Sequence, residues 1–248
     1  MSNFIRKILV LLMFIASWEI LIILIKPPAY ILPSPLQVFS AFLTNWKIIL
    51  NNAGITFFEA FSGFLIANLI SSFIAILIAF HKKLENTIMP IAIVIKTMPV
   101  VALTPLLIIW FGSGISSKVV TSILICFFPT LVNVLRGIKS LDNNLVEFFK
   151  VYSANRRQLT RLLIIPSILP YIFAAMKVSS SLAIIGALVG EFIGSNKGLG
   201  FIIMSNYYNM NTACVFAAIT VSSIMGISFY YIIQFFEKKY VSESKEII

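Results

Sequence analysis

Long apolar stretches alternate with short polar segments along most of this chain of 248 residues. Six stretches are long enough to suggest helices that cross a lipid bilayer, which takes about 20 apolar residues at a rise of about 1.5 Å per residue. They cover residues 8–25, 54–80, 88–111, 119–135, 168–189 and 214–236. Because backbone groups inside hydrocarbon must be hydrogen-bonded within the segment, each stretch is predicted to be an α-helix.

The start of the chain has two interpretations. Arg6 and Lys7 followed by an apolar stretch also suit a secretory signal peptide. The next residues are Lys26-Pro27-Pro28 rather than a small-residue cleavage pattern, so the sequence favours an uncleaved span.

Composition supports a membrane protein. The chain is 59% hydrophobic and 11% charged, with a mean hydropathy of +0.99, whereas soluble domains carry roughly 25% charged residues. We therefore predict an all-α polytopic membrane protein with six transmembrane helices. It forms a single membrane domain over residues 1–248, with a transmembrane core at 50–236. Cys126 and Cys214 both fall in apolar stretches, which favours buried small hydrophobes over a disulfide or a metal site.

Lysine and arginine predict the orientation. With the N-terminus inside, 13 of the 19 basic residues lie on the inner side and 4 on the outer side, while Lys96 and Lys177 fall within stretches. The positive-inside rule then predicts a multi-pass protein with both termini in the cytoplasm. The net charge of +10 also raises nucleic acid as a partner. The charges follow one membrane face without aromatic interleaving, so we expect membrane lipid and no nucleic acid.

The largest polar segment is residues 137–166, which we call the loop segment. From Arg136, which directly precedes it, to Arg161 the chain holds six basic and two acidic residues, and the predicted topology places the loop segment in the cytoplasm. Its pattern alone is compatible with two roles. One is a docking element for another protein; the other is a connector whose apolar face lies on lipid while its arginines meet anionic headgroups.

Capping patterns divide the loop segment into two short helices. Asn144 followed by Glu147 predicts one helix start, and Asn155 followed by Gln158 predicts a second. Pro166 predicts the end of the second helix, because the residue before proline avoids the helical region. The first helix has an apolar face at helical spacing, formed by Leu145, Phe148, Phe149 and Tyr152.

The spacing within the loop segment resembles the cytoplasmic loop of binding-protein-dependent ABC importer permeases. That pattern is Glu-Ala-Ala, three residues, Gly, nine residues, then Ile-x-Leu-Pro. The matching positions here are Glu147, Ser153, Leu163, Ile165 and Pro166. Phe148 and Phe149 replace the two alanines. Ser153 replaces the glycine, and serine adopts a positive φ only at some cost.

Other segments extend the resemblance from about residue 32 to residue 236, and they are similar to the nitrate/sulfonate/taurine-type branch of that family. They are Leu32-Pro33-Ser34-Pro35, Thr56, Gly63-Phe64, Pro99, Ala102, Pro105-Leu106, Trp110-Phe111-Gly112-Ser113-Gly114, Ser117-Lys118, Phe127-Phe128-Pro129, Glu191-Phe192 and Gly198-Leu199-Gly200. In combination these motifs are highly specific.

The resemblance implies a type I ABC importer permease fold and a transport subunit rather than an enzyme. It implies two permease copies, most simply a homodimer, two ATP-binding ABC subunits and an external solute-binding protein. The implied docking residues are Glu147, Phe148, Phe149, Ser153, Ala154, Leu163, Ile165 and Pro166. The sequence lacks a phosphate-binding G-x-x-x-x-G-K-[ST] loop, so ATP is expected on the partner ATPase and no cofactor on this chain.

The substrate suggested by that branch is a small organic or inorganic anion of the nitrate, sulfonate or taurine type. The alternative is a vitamin precursor such as the thiamine pyrimidine. A different class of function, an ATP-independent secondary transporter or channel, would require inverted repeats with paired broken helices or a chain of membrane carboxylates. The sequence shows neither pattern. A purely structural membrane anchor is disfavoured by the docking pattern.

Five residues in or near the stretches are candidates for translocation or gating: Lys96, Pro99, Pro105, Glu59 and Glu191. Charges within spans are costly and often functional, and prolines weaken a helix where it bends. Three roles are compatible with Lys96: contact with an anionic substrate, snorkelling to the cytoplasmic face, or a charge pair with Glu59. Glu191 suits either a cap on the amides of the 198–200 loop or a solvated helix end.

Small residues in the fifth stretch predict close helix packing. Gly186, Gly190 and Gly194 recur at four-residue spacing, which lets another helix approach closely. The partner helix belongs either to the same chain or to a second copy. Ser179-Ser180-Ser181 suits either a polar path or hydrogen bonds between helices.

Overall fold

The structure is a computed structural model that describes residues 3–244, and over these residues it contains helices and no strand. Lys245 lies outside the described residues, as do the side chains of Lys7, Lys82 and Lys150. The helices are α1 (Asn3–Ile25), α2 (Pro35–Phe80), α3 (Lys82–Thr97), α4 (Val100–Phe111), α5 (Ile115–Lys139), α6 (Asn143–Val151), α7 (Arg156–Leu159), α8 (Ile165–Glu191), α9 (Leu199–Tyr208) and α10 (Thr212–Ser244). A π-helical turn, Thr160–Ile164, joins α7 to α8.

The length and composition of these helices support a multi-pass membrane protein. In the described part of the chain, four helices are long and apolar enough to cross a membrane, and there are five if α3 and α4 count as one bent span. The first predicted stretch lies in α1, which contains a shorter apolar helix, Leu12–Ile25.

The third predicted span is not a single straight helix. α3 and α4 meet at an angle of 100°. Pro99 has no N–H with which to continue the helix, and it forces Met98 into an extended conformation with ψ 131°. Pro105 lies inside α4 without breaking it.

α2 begins 19 residues before the predicted start at residue 54, so the predicted boundary was wrong. Ser34 caps the helix by a reciprocal capping box with Gln37, and Pro35 occupies the first turn, where its missing N–H costs no hydrogen bond. The polar residues between positions 44 and 52 interrupt the apolar pattern. They do not interrupt the backbone hydrogen bonds, so the helix runs through them.

Close packing of α5 between α2 and α8 forms the centre of the bundle. A Cβ atom added at Gly186 would lie 2.6 Å from Ser122 Cα, and one at Gly190 would lie 3.0 Å from Lys118 Cα. Two of the three predicted packing glycines therefore face α5 of the same chain. Gly194 lies beyond the end of α8, in a turn with φ +66°.

Three buried apolar clusters follow one another along the bundle. One lies at the end where α2, α5 and α10 finish and α8 begins, which we call the loop end. The second is central, and the third lies at the opposite end, around α9. Between helices, Asn68 Nδ2 donates to Ser179 Oγ at 3.0 Å, and Thr130 Oγ1 donates to Asn68 Oδ1 at 3.2 Å. Ser179 thus forms a hydrogen bond between helices.

Candidate functional site

The first helix of the loop segment, α6, begins two residues earlier than the capping pattern predicted. Asp142 Oδ1 accepts the backbone N–H of Asn144 at 2.8 Å. Asp142, rather than Asn144, therefore caps this helix, and the predicted capping box with Glu147 was wrong. Asp142 already lies before the first helical residue, where a carboxylate reaches the free amides of the first turn.

The apolar face of α6 is largely exposed. Phe148 and Tyr152 expose 54% and 72% of their surfaces, and their ring centroids lie 4.6 Å apart. Phe149 is half-buried, and Glu147 is exposed. Asn143 and Val146 lie on the other side of the helix, where they line a cavity. The aromatic pair therefore points away from the bundle.

The corner after α6 is left-handed, at the position where the family pattern has glycine and this chain has serine. Ser153 adopts φ +54°, in the left-handed region. Ala154 N–H donates back to Phe149 O at 3.0 Å, which is the long hydrogen bond of a Schellman helix end. Serine therefore takes the turn that glycine would take more easily.

The second helix begins where predicted but does not end at Pro166. Asn155 and Gln158 form the predicted reciprocal capping box. The helix then continues through the π-helical turn into α8, and Ile165 N–H donates to Thr160 O within that turn. A π turn widens the backbone and absorbs a residue with no donor, which allows Pro166 inside a continuous helix.

This continuity changes the position of the predicted docking residues near Pro166. Leu163 is only 6% exposed and packs in the bundle, so it is not part of the accessible surface. Ile165 is 42% exposed, Leu162 is 61% exposed and Pro166 is half-buried. The accessible apolar surface is therefore Leu162 and Ile165 together with the aromatic face of α6.

A cavity of about 500 Å³ lies under α6, between the ends of α2 and α5 and the start of α8. Nine of its twelve lining side chains are apolar. Lys139 and Glu85 form a salt bridge of 2.5 Å along its wall. Near Phe80, another wall residue, the Arg156 guanidinium lies 5.6 Å from the ring centroid. The loop segment therefore lies over a space that the bundle does not fill.

At the opposite end, side chains bind three successive backbone amides at the start of α9. Gly198 N–H donates to Asn52 Oδ1 at 2.6 Å, and Leu199 N–H donates to Thr56 Oγ1 at 2.8 Å. Gly200 N–H donates to Glu191 Oε2 at 2.6 Å. The carboxylate of Glu191 thus caps a loop amide, in the arrangement that the sequence suggested, while its gating role stays a prediction.

Glu191 is completely enclosed. It is 1% exposed, and its Oε1 accepts from Thr56 Oγ1 at 2.7 Å. A Cβ atom added at Gly198, which has φ +96°, would lie 2.1 Å from Glu191 Oε1. Only glycine therefore lets the 198–200 loop approach the carboxylate this closely.

Two further charged groups complete this buried cluster. Glu59 is 3% exposed, and its carboxyl group contacts that of Glu191 and lies near the Lys118 ammonium group. Lys118 is one of the four basic residues that the predicted topology assigns to the outer side, with Lys26, Lys47 and Lys197, but it is 1% exposed and donates to Ser113 O. Buried charges are tolerated when they are paired or hydrogen-bonded. The Lys118 ammonium group lies near both carboxyl groups, while the Oε2 atom of Glu59 has no hydrogen-bond partner among the described residues. We call Asn52, Thr56, Glu59, Lys118 and Glu191 the polar cluster.

The hypothesis of a Glu59–Lys96 charge pair was wrong. Glu59 lies in the polar cluster, whereas the Lys96 Nζ atom lies 4.6 Å from the centroid of the Phe128 ring. Lys96 is exposed, one residue before the final residue of α3. It therefore lies at the break that Pro99 introduces.

Comparison with known proteins decides the family. The sequence profile of the family described as binding-protein-dependent transport system inner membrane component matches residues 67–242. The chain belongs to this family. The predictions of an ABC importer permease and of its membrane-spanning, all-α class are thereby confirmed.

Two curated relatives of the permease span most of both chains. It is 34% identical over 224 residues to the formylaminopyrimidine transport permease protein ThiX of Halalkalibacterium halodurans, covering 87% of this chain and 86% of that protein. It is 32% identical over 217 residues to SsuC of Bacillus subtilis, described as an aliphatic sulfonates transport permease, covering 86% and 78%.

A solved structure supports the fold of the permease. An inward-facing structure of the MetNI methionine ABC transporter superposes with a TM-score of 0.63 at 19% identity. The match covers 80% of this chain and 94% of that one. The predicted type I importer permease fold is confirmed by this likeness.

Sequence reasoning missed part of the permease's polar cluster. Asn52 and Thr56 were not predicted to contact the 198–200 loop, which is more than 140 residues away. A sequence signal existed, since the two side chains lie four residues apart and therefore on one face of a helix. The predicted helix began at residue 54, so it included Thr56 but left Asn52 outside.

Proposed function

We propose that this permease forms the solute pathway of an importer and that its loop segment docks onto a separate ATP-binding subunit. The observation that carries the proposal is the exposed aromatic face of α6, with Phe148 and Tyr152 directed away from the bundle. Exposed apolar patches with a charged rim mark interaction sites, and here Glu147 and Arg157 provide the rim.

The direction of the aromatic face favours docking over a connector lying on lipid. A connector of that kind would turn its apolar face toward the membrane. In α6 the side toward the bundle carries Asn143 and Val146, and the aromatic side faces outward. This arrangement supports a protein partner below the loop segment.

A continuous helix supplies the mechanical link. α7, the π turn and α8 form one helical rod from Arg156 to Glu191, 36 residues or about 54 Å long. A partner that moves α7 therefore also moves the far end of α8, where Glu191 binds the 198–200 loop. ATP binding and hydrolysis take place on the partner, and closure of two ATPase subunits shifts the bundle between inward-open and outward-open states.

The proposed assembly contains two permease copies, two ATPase subunits and an external solute-binding protein. The loop end is proposed to lie in the cytoplasm of a bacterial cell, and the positive-inside rule supports this orientation through Lys83, Arg136, Arg156 and Lys238. The polar cluster then lies toward the outer face, where the binding protein delivers the solute.

The substrate is proposed to be a small anion of the nitrate, sulfonate or taurine type. The likeness to SsuC supports a sulfonate. The likeness to ThiX supports a second candidate, a pyrimidine precursor of a vitamin. Uptake by vesicles that have the matching binding protein on their outside distinguishes the two, with taurine, nitrate and formylaminopyrimidine offered separately.

The coupling proposal is tested by uptake with and without internal ATP. The permease, its ATPase and its binding protein are reconstituted together, and each of the three compounds is offered outside. We expect ATP-dependent uptake of one of them in the wild type and loss of uptake in Glu147→Arg, with membrane insertion unchanged. Tyr240→Ala, which alters an exposed aromatic residue at the loop end of α10, serves as the control. Uptake without ATP, or full uptake by Glu147→Arg, contradicts the proposal.

A further inference from the structure

Lys96 places an ammonium group close to the middle of the membrane. Its Nζ atom lies 4.6 Å from the centroid of the Phe128 ring on α5. Phe128 is 11 residues from Lys139 at one end of α5 and 13 residues from Ile115 at the other. These separations correspond to about 16 and 20 Å along the helix, so the ring lies near mid-depth.

The position of Lys96 along α3 agrees with this depth. It follows the first residue of α3 by 14 positions, which is at most about 21 Å of helix. The side chain leans toward the loop end, since Phe128 packs beside the loop-end cluster. Its ammonium group lies over the Phe128 ring, where a cation is attracted by the negative face of the π system.

Lys96 has no carboxylate partner within the described residues. The two salt bridges found there join Lys139 to Glu85 and Lys177 to Glu237. The side chain of Lys96 is nevertheless exposed at the surface of this single chain. An unpaired charge at this depth is costly against lipid, and such residues face a bundle interior or a water-filled cavity.

The backbone around Lys96 also indicates an aqueous surface. The helix breaks directly after it, at Met98 and Pro99, with a bend of 100° between α3 and α4. Irregular backbone at membrane depth is tolerated only where protein buries it or where it lines a water-filled cavity. Both the charge and the break therefore place this surface on the pathway rather than on lipid.

We propose that Lys96 is an anion-coordinating residue of the solute pathway, taking a small oxyanion group such as a sulfonate at mid-membrane. The proposal rests on the proposed function, because it assumes that this surface lines the solute pathway. It extends that function by naming the contact residue and the charge of the group it selects. The ammonium group supplies up to three donors, and the Phe128 ring holds it in place.

The test uses a cysteine beside Lys96 and two thiol reagents of opposite charge. Thr97→Cys is introduced into the full-length permease in nanodiscs, where reagents reach both faces. The probes are 2-sulfonatoethyl methanethiosulfonate, which carries a sulfonate, and 2-(trimethylammonium)ethyl methanethiosulfonate, which is cationic. The native Cys126 and Cys214 are buried, so the unmodified chain provides the background rate.

The measured quantity is the ratio of the anionic to the cationic reaction rate. We expect Lys96→Met to lower this ratio about tenfold and Lys96→Arg to preserve it, because the nearby positive charge attracts one reagent and repels the other. A ratio unchanged in Lys96→Met overturns the proposal, and so does a Thr97→Cys thiol that reacts with neither reagent.

This test is independent of ATPase docking. The thiol reactions are measured without ATP, so loss of docking leaves them unchanged. Conversely, if the reagent preference is lost, the docking proposal is still tested by comparing ATP-dependent uptake in the wild type and in Glu147→Arg. The two proposals therefore fail in distinguishable ways.

Discussion

The two ends of the helical rod from Arg156 to Glu191 differ in whether their side chains find partners within the same chain. At Glu191, a fully enclosed carboxylate accepts hydrogen bonds from Thr56 and Gly200 of the same chain. At the loop end, a π turn, exposed Leu162 and a cavity of about 500 Å³ leave apolar surface uncovered.

This difference indicates which end needs another molecule. At the far end Glu191 finds its hydrogen-bond partners inside the chain, although the enclosed Oε2 atom of Glu59 has none among the described residues. The loop end has apolar groups without a partner in the same chain, which is the arrangement expected where a second protein binds. One helical rod thus connects the polar cluster to the loop end, where docking is proposed.

Replacing Glu191 in the polar cluster is expected to have the largest effect on stability. Glu191→Ala leaves the Gly200 amide without its acceptor and leaves the Thr56 hydroxyl with only Asn52 O, at 3.2 Å. It also removes one of the two carboxyl groups near Lys118. Breaking a buried charged interaction from one side costs about 3 kcal/mol. We expect a clear fall in the unfolding temperature in detergent, whereas Glu147→Ala at the exposed end leaves it unchanged. Equal unfolding temperatures for the two variants would remove the contrast between the ends.

A second variant examines the packing of the rod between its ends. Gly186→Ala places a Cβ atom 2.6 Å from Ser122 Cα, so α5 and α8 must separate, at a cost of about 1–3 kcal/mol. Gly226→Ala on α10 is the matched control, because nothing lies within 4 Å of its new Cβ atom. There the better helix propensity of alanine favours a neutral or slightly stabilising change. Similar unfolding temperatures for the two variants would show that the close approach is not stabilising.

The smallest effect is expected at the corner of the loop segment. Ser153→Gly relieves a positive φ and is expected to stabilise the permease by about 0.5 kcal/mol, with uptake unchanged. Ser140→Gly is the control, since Ser140 has φ −86°, so glycine there relieves no strain, increases the freedom of the unfolded chain and removes the hydrogen bond from Ser140 Oγ to Gly137 O. Chemical denaturation of both variants measures the difference. Destabilisation by Ser153→Gly would mean that the serine side chain, rather than the turn, determines this corner.

Local signals in the sequence predicted local structure well. The capping box of Asn155 with Gln158 is present, and Ser153 takes the left-handed turn that the family pattern assigns to glycine. Each of these features depends on residues within a few positions of one another. The capping interactions and the φ preference act over that same range, so the sequence contains them directly.

The errors arose where a distant or unusual arrangement overrode a local rule. Pro166 normally ends a helix, but a π turn accommodates it. Lys118 looked like an outer-loop lysine, but close packing against Gly190 of α8 helps to bury it, near Glu59 and Glu191. Glu59 is 132 positions from Glu191, and the spacing of residues along the chain does not determine which helices pack together.

The central claim is tested most directly by the affinity of the ATPase subunit for the permease in nanodiscs. Phe148→Asp alters the exposed face of α6 without touching the buried core, and Tyr240→Asp changes another exposed aromatic residue at the loop end. We predict that Phe148→Asp raises the dissociation constant at least about tenfold, as expected for an aromatic anchor of an interface, and that Tyr240→Asp leaves it unchanged. Equal affinities for the wild type and both variants would contradict docking at the loop segment.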